Sequence, residues 1–145
     1  MENIRKIIGR NISILYRNEN NYVDVKLKKY NLNKVQAEVL LFLRDNNADN
    51  QTKINEFFLF NKATITKIIT HLEKYDYVNR VVSENDRREK GIYLTVKGIN
   101  ILPSITEVLN GWEDILIDNI PSADIEKIRS IIAKMVNNIK ILKEY

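Results

Sequence analysis

The stretch from Asn61 to Gly98 passes from helical patterning to extended patterning and back, and few folds accept that order. Ile65, Ile68, Ile69 and Leu72 recur at i, i+3, i+4 and i+7, the spacing of one buried helical stripe. Asn61 precedes them as an N-cap whose side-chain oxygen can take an orphan backbone N–H of the first turn. The other face of that helix shows Lys62, Ala63, Thr64, Thr66, Lys67, Thr70, His71 and Lys74, without an acid among them. Tyr77 to Val82 and Gly91 to Thr95 follow, both rich in β-branched and aromatic residues. Ser83 to Lys90 between them is wholly polar, so the pair is predicted to be a hairpin with a charged tip.

A helix face of small hydroxyl residues and cations suits a DNA major groove. Hydroxyls bond phosphates or base edges, threonine methyls meet thymine methyls, and lysines pair with phosphate or guanine. Arg87, Arg88 and Lys90 on the hairpin tip have the reach to enter an adjacent minor groove. Taken alone, such a helix face is most often merely solvated; its coupling to a cationic hairpin is what points to nucleic acid. Helix plus wing makes a winged helix-turn-helix, in a chain that is mainly α with a small β-hairpin.

The segment resembles the MarR family of bacterial and archaeal transcriptional regulators. The matching residues are Ala63-Thr64-Ile65-Thr66-Lys67, Leu72-Glu73-Lys74 and Asn85-Asp86-Arg87-Arg88, then Ile92, Leu94-Thr95 and Gly98 at the family's spacing. The resemblance implies a DNA-binding lobe over 32–98 and a dimerisation region from 1–31 and 99–145. It implies a homodimer that binds double-stranded DNA, a ligand-responsive repressor on a pseudo-palindromic operator, with each recognition helix in a major groove and each wing in a minor groove. Lys62, Ala63, Thr64, Thr66, Lys67, Thr70 and His71 would then form the helix contacts. On the wing, Arg88 would enter the minor groove, Asp86 would brace it through a carboxylate–guanidinium pair, and Arg87 and Lys90 would hold phosphate. Which arginine takes which role stays open, because adjacent hairpin residues point to opposite faces. Where the family commonly has glycine, this chain has Asn31, Leu59 and Asp76, and Asn55 replaces a small alanine. Asn and Asp enter the left-handed backbone region more readily than Leu does.

The flanks are helical by the same periodicity. Ile4, Ile7, Ile8, Ile12, Leu15 and Tyr16 make a one-sided apolar patch near the start. Asn33 is an N-cap for a helix with Val35, Val39, Leu40, Phe42 and Leu43 inward, and Thr52 is the predicted cap of the next helix, anchored by Ile54 and Phe58. Thr95 caps a long helix with Ile99, Leu102, Ile105, Val108, Leu109, Trp112, Ile115 and Leu116 on its buried side, kinked at Pro103. Ser122 is the predicted cap of the last helix, whose stripe from Ile125 to Leu142 is broad enough to face its own chain and a partner. In the resemblance, Ile4, Ile7, Ile8, Ile132, Met135, Ile139 and Leu142 form the dimer seam.

Composition narrows the alternatives. Basic residues outnumber acidic ones nine to six in 1–50 and nine to six in 51–98, but acids lead seven to five in 99–145. The basic surface is therefore regional, which fits a polyanion partner, though many basic proteins bind nothing anionic. There is no cysteine and one histidine, which removes disulfides and zinc–thiolate sites and leaves no expected metal site or cofactor. No glycine-rich phosphate loop or spaced carboxylate pair supports an enzyme. Nothing approaches the ~20 apolar residues of a membrane span, and the first residues do not pattern as a signal peptide, so a cytoplasmic location is expected. Tyr16, Tyr22, Tyr30, Phe42, Phe57 and Trp112 are aromatic candidates for the wall of a small-molecule effector pocket, a role weighed against ordinary core packing. The competing function is a winged-helix module for protein–protein contact without DNA binding.

Overall fold

The computed structural model describes residues 2–46, 50–82 and 90–142. Helix α1 (Glu2–Leu27) ends in a 3-10 turn (Lys28–Tyr30), followed by α2 (Lys34–Asp45), α3 (Gln51–Phe58) and α4 (Lys62–Lys74). Strands β1 (Val78–Val82) and β2 (Lys90–Leu94) lead into α5 (Val96–Ile117) and α6 (Ser122–Lys140). The fold is mainly helical with one two-stranded antiparallel sheet among the described residues.

Side chains at helix ends set the path of the chain. Asn31 closes the 3-10 turn in the left-handed region (φ 57°), and its N–H bonds the Lys28 carbonyl. Asn33 caps α2 in a reciprocal box with Gln36, satisfying two orphan donors at once. Thr95 caps α5, accepting from the Gly98 N–H at 2.9 Å. Two predicted caps move. Asn50, not Thr52, caps α3 by accepting from Lys53 N–H, since Asn caps at least as well as Thr and stands earlier in the chain. Pro121, not Ser122, occupies the cap position of α6, and no side chain caps that helix.

One core joins α1, α2, α3, α4, the hairpin and α5. Leu27, Leu40, Ile54, Ile65, Ile69, Leu72, Ile92 and Ile105 are fully buried, each worth roughly 1.5–3 kcal/mol relative to exposure. The hairpin pairs Val78 with Leu94 and Arg80 with Ile92. Directly opposed residues share a face, so Val78, Arg80 and Ile92 all look inward. The strands start one residue later and one earlier than the residue pattern suggests. Tyr77 N–H still bonds the Leu72 carbonyl at the end of α4, and Thr95 is already the cap of α5.

Helix α5 runs unbroken through Pro103, and its buried side holds Gly98, Ile101, Leu102, Ile105 and Trp112. Ile99 and Ile115, expected inside, are exposed. At ~100° per residue they stand roughly 120° and 80° round the helix from Ile105. The α1–α2 junction carries a charged tie: Lys34, only 8% exposed, lies 3.3 Å from Glu19 and 3.0 Å from Glu38. Beyond the core, α6 buries no residue and packs on no other element to any extent among the described residues. Its Ile128, Ile131, Ile132 and Ile139 are exposed, as are Ile4, Ile7, Ile8 and Ile12 of α1.

Candidate nucleic-acid interface

Helix α4 is presented by the turn before it. Leu59 takes the left-handed conformation (φ 57°) that the turn after α3 demands, and Phe60 N–H reaches back to the Asn55 carbonyl at 3.2 Å. Asn61 then caps α4, accepting from Thr64 N–H at 2.8 Å. Ile65, Ile68, Ile69 and Leu72 are buried, so the opposite side is presented outward. At ~100° per residue, Ala63, Lys67, Thr70 and Lys74 lie along the middle of that side. Lys62 and Thr66 form one flank, and Thr64 and His71 the other. Lys62, Ala63, Thr66, Lys67 and Thr70 are exposed, while Thr64 and His71 are half-buried. Among the described residues neither Lys62 nor Lys67 is ion-paired, so both charges are available.

Several of these side chains are already held. The Thr66 hydroxyl donates to the Lys62 carbonyl and accepts from Gln51 Nε2, both at 2.8 Å. Thr70 Oγ1 accepts from Arg80 Nη2 at 3.3 Å. Arg80 Nε stands 3.0 Å from a Glu73 carboxylate oxygen, an ion pair not aligned as a hydrogen bond. Glu73, the acid nearest the face, is thus covered by a cation from the wing strand. His71 turns away from the centre of the face, its Nε2 lying 2.6 Å from the Asn31 carbonyl and its ring against Tyr75.

Gln51 and Arg80, which hold side chains of the α4 face, are residues that periodicity does not single out. The signal for Arg80 is its place two residues after the buried Val78, on the inward side of a strand, where an unpaired cation would be costly. On the wing, Asp86, Arg87 and Arg88 lie outside the described residues, and Lys90 opens β2. Among the described residues no cluster of metal-ligating side chains forms, and no helix is long and apolar enough to cross a membrane.

A cleft of about 1260 Å³ opens between α1 and α5, lined by Tyr22, Lys26, Tyr30, Arg44, Leu102 and Pro103 among others. A hydrogen bond with Ser104 and the nearby Lys29 hold the Tyr30 phenol below the usual tyrosine range. Of the six aromatic candidates only Tyr22 and Tyr30 line this cleft. Trp112 packs on Tyr22 and lines a separate groove, Tyr16 lies by Lys34, and Phe42 and Phe57 join Phe58 and Phe60 in an aromatic cluster.

A sequence model of the MarR family matches residues 32–90, which run from the start of the lobe into the hairpin. Residues 32–90 are thus a MarR-family domain. Over 91 residues it is 34% identical to the HTH-type transcriptional regulator MgrA of Staphylococcus aureus, a match spanning 62% of either chain. It also superposes on a MarR protein from Peptoclostridium difficile with a TM-score of 0.88, at 28% identity over 92% of this chain and 87% of that one. The S. aureus MepR–DNA complex gives a TM-score of 0.81 at 22% identity, over 92% of this chain and 96% of that one. The MarR fold therefore extends over nearly the whole chain.

Proposed function

We propose that this chain is a sequence-specific, DNA-binding transcriptional regulator of the MarR family, acting as a homodimer in the cytoplasm. The observation that carries the reading is the exposed side of α4, cationic and free of acids, set beside a hairpin whose tip reads Asp86-Arg87-Arg88. MepR, similar in fold, is known bound to DNA, and MgrA is a transcriptional regulator. In this reading Lys62 and Lys67 meet phosphates, while Ala63 and Thr70 approach base edges. Thr64 and Thr66 support them from the flanks, while His71, turned to the Asn31 carbonyl, stays off the DNA. Arg88, Arg87 and Lys90 act from the wing, with Asp86 as its brace. The lobe over 32–98 reads DNA, and the helices of 1–31 and 99–145 pair with those of a second copy.

The direction of control is repression, by occupation of a pseudo-palindrome whose half-sites lie one helical turn apart, about 34–36 Å. A small molecule in the α1–α5 cleft would release the DNA by favouring a dimer of different spacing, which requires unequal affinity for the two forms. The cleft's lining mixes Lys26, Lys29 and Arg44 with Glu107 and Asp114 beside two tyrosines, which suits a polar compound with an aromatic part. Leu59 stands where the family commonly has glycine, and a distorted turn there would favour the competing protein-interaction reading. The turn closes around Leu59 with its hydrogen bond intact, so that ground is gone.

The deciding experiment is fluorescence anisotropy with DNA from upstream of the chain's own gene, beside a scrambled duplex, over a salt series. A preference of ~10³ or more, with log K falling steeply in log salt, is expected. Equal weak binding on both duplexes, or none at low salt, would sink the reading.

A further inference from the structure

Two backbone carbonyls at the elbow between α1 and α2 are gripped from the far end of α4. The Asn31 carbonyl, on the left-handed residue of the elbow, lies 2.6 Å from His71 Nε2. The preceding Tyr30 carbonyl accepts from the Tyr77 hydroxyl at 2.7 Å. A carbonyl can only accept, so His71 must carry its proton on Nε2. These bonds join residues 40 and 47 positions apart, and so tie separate elements together.

The same end of α4 is held on its other side by the start of α5. Lys97 Nζ donates to the Tyr75 carbonyl at 2.7 Å, Thr95 Oγ1 to that of Asp76 at 2.6 Å, and Thr95 N–H to that of Tyr77 at 3.1 Å. The elbow itself is stiff: Asp24 of α1 accepts from Lys34 N–H at 2.7 Å, and Lys34 bridges Glu19 and Glu38. Recognition helix α4 is therefore clamped between the two helices whose other ends carry uncovered isoleucines. Burial of Ile65, Ile69 and Leu72 is non-directional and would tolerate a roll of the helix. The hydrogen bonds are directional and would not.

The geometry points to His71 and Tyr77 as positioning residues that set which half-site spacing the dimer accepts. His71 then acts through Asn31 and not through DNA. The inference rests on the dimeric DNA-binding reading, because spacing has meaning only between two recognition helices. A small rotation at the elbow is magnified along α1 and α5, so freeing α4 loosens the distance between the helices without altering the groups facing each half-site.

The test uses His71→Ala, Tyr77→Phe, the double variant and His71→Gln, which keeps an N–H donor. Each is titrated against duplexes carrying the bound site with half-site separation changed in single base-pair steps, and against an isolated half-site. Sedimentation checks that the dimer persists. The wild type should prefer one spacing by ~10-fold over its neighbours, a preference the double variant should flatten to within ~3-fold at unchanged half-site affinity. His71→Gln should recover most of the preference. A sharp preference kept by the double variant overturns the inference while leaving the regulator reading intact. A wild type indifferent to spacing removes the dimeric reading and the inference together. Tyr77→Phe deletes only a hydroxyl, so it decides the matter should the double variant fail to fold; an unchanged profile there counts against the proposal.

Discussion

Gly98 lies directly against the carbonyl oxygen of Tyr77, so closely that a methyl group on Gly98 would overlap it. The obstacle is backbone and cannot swing aside, unlike the flexible Tyr93 ring facing Gly91. Gly98→Ala should therefore push α5 away from the end of α4. We expect a loss of about 3 kcal/mol, a fall in Tm of roughly 6–12 °C. Thermal and urea unfolding check it, and a Tm within the error of wild type would refute it.

Arg80 neutralises Glu73 and steadies Thr70, so it keeps an unpaired acid from the exposed, cationic side of α4. Arg80→Ala should weaken DNA binding by about tenfold, largely by leaving that charge near phosphate. Removing Glu73 as well should restore much of the affinity, a double-mutant cycle with clear non-additivity. If the two losses simply add, Arg80 works in some other way.

The helices were legible because isoleucine and leucine recur at helical spacing, and Asn33, Asn61 and Thr95 cap as their chemistry suggests. Asn31 and Asp76 in the left-handed region were legible too, since both tolerate it. The exposure of Ile99 and Ile115 was not. An apolar residue announces that it prefers burial, but not whether its own core or another chain provides it. Arg80 was hidden for a related reason: a strand pattern shows which side of a sheet a residue faces, while its partners Thr70 and Glu73 come from a different element.

Leu59 is the conformational weak point of the lobe. It holds φ 57° with a branched side chain that is about half exposed and buries little in exchange. Left-handed backbone costs a non-glycine residue roughly 1–2 kcal/mol, against which glycine's extra freedom when unfolded takes back part. Leu59→Gly should thus raise stability by about 0.5–1 kcal/mol, read from the urea midpoint. A clear loss would show that packing of the half-buried leucine outweighs the strain of its backbone.

Burial raises the pKa of Glu19, an effect that Lys34 only partly offsets, whereas Lys34 is raised because Glu38 and Glu19 outweigh its own desolvation. Folded Glu19 thus holds its proton to higher pH than unfolded Glu19. Between the unfolded value near 4.5 and the raised folded value, the folded state binds more protons, so stability contributed by this group falls as pH rises. Glu19→Gln lacks that slope. Its stability relative to wild type should improve as pH rises from ~4 toward neutrality. An opposite trend in urea midpoints would mean that attraction to Lys34 dominates.

Helix α6 has an apolar stripe, and among the described residues no other element packs on it to any extent. Ile132 is 53% exposed, Ile139 46% and Ile8 41%, too much isoleucine in water for an isolated surface helix. A second copy offers the same helices, and pairing them would make a self-complementary seam. Ile132→Glu, which places a charge within that stripe while removing no core contact, should give a folded monomer of 17.0 kDa by sedimentation. Linked half-sites gain ~10²–10⁴ in overall affinity from simultaneous engagement, and the monomer should lose that gain while binding a single half-site as before. A variant that still sediments as a dimer would place the seam elsewhere on the molecule.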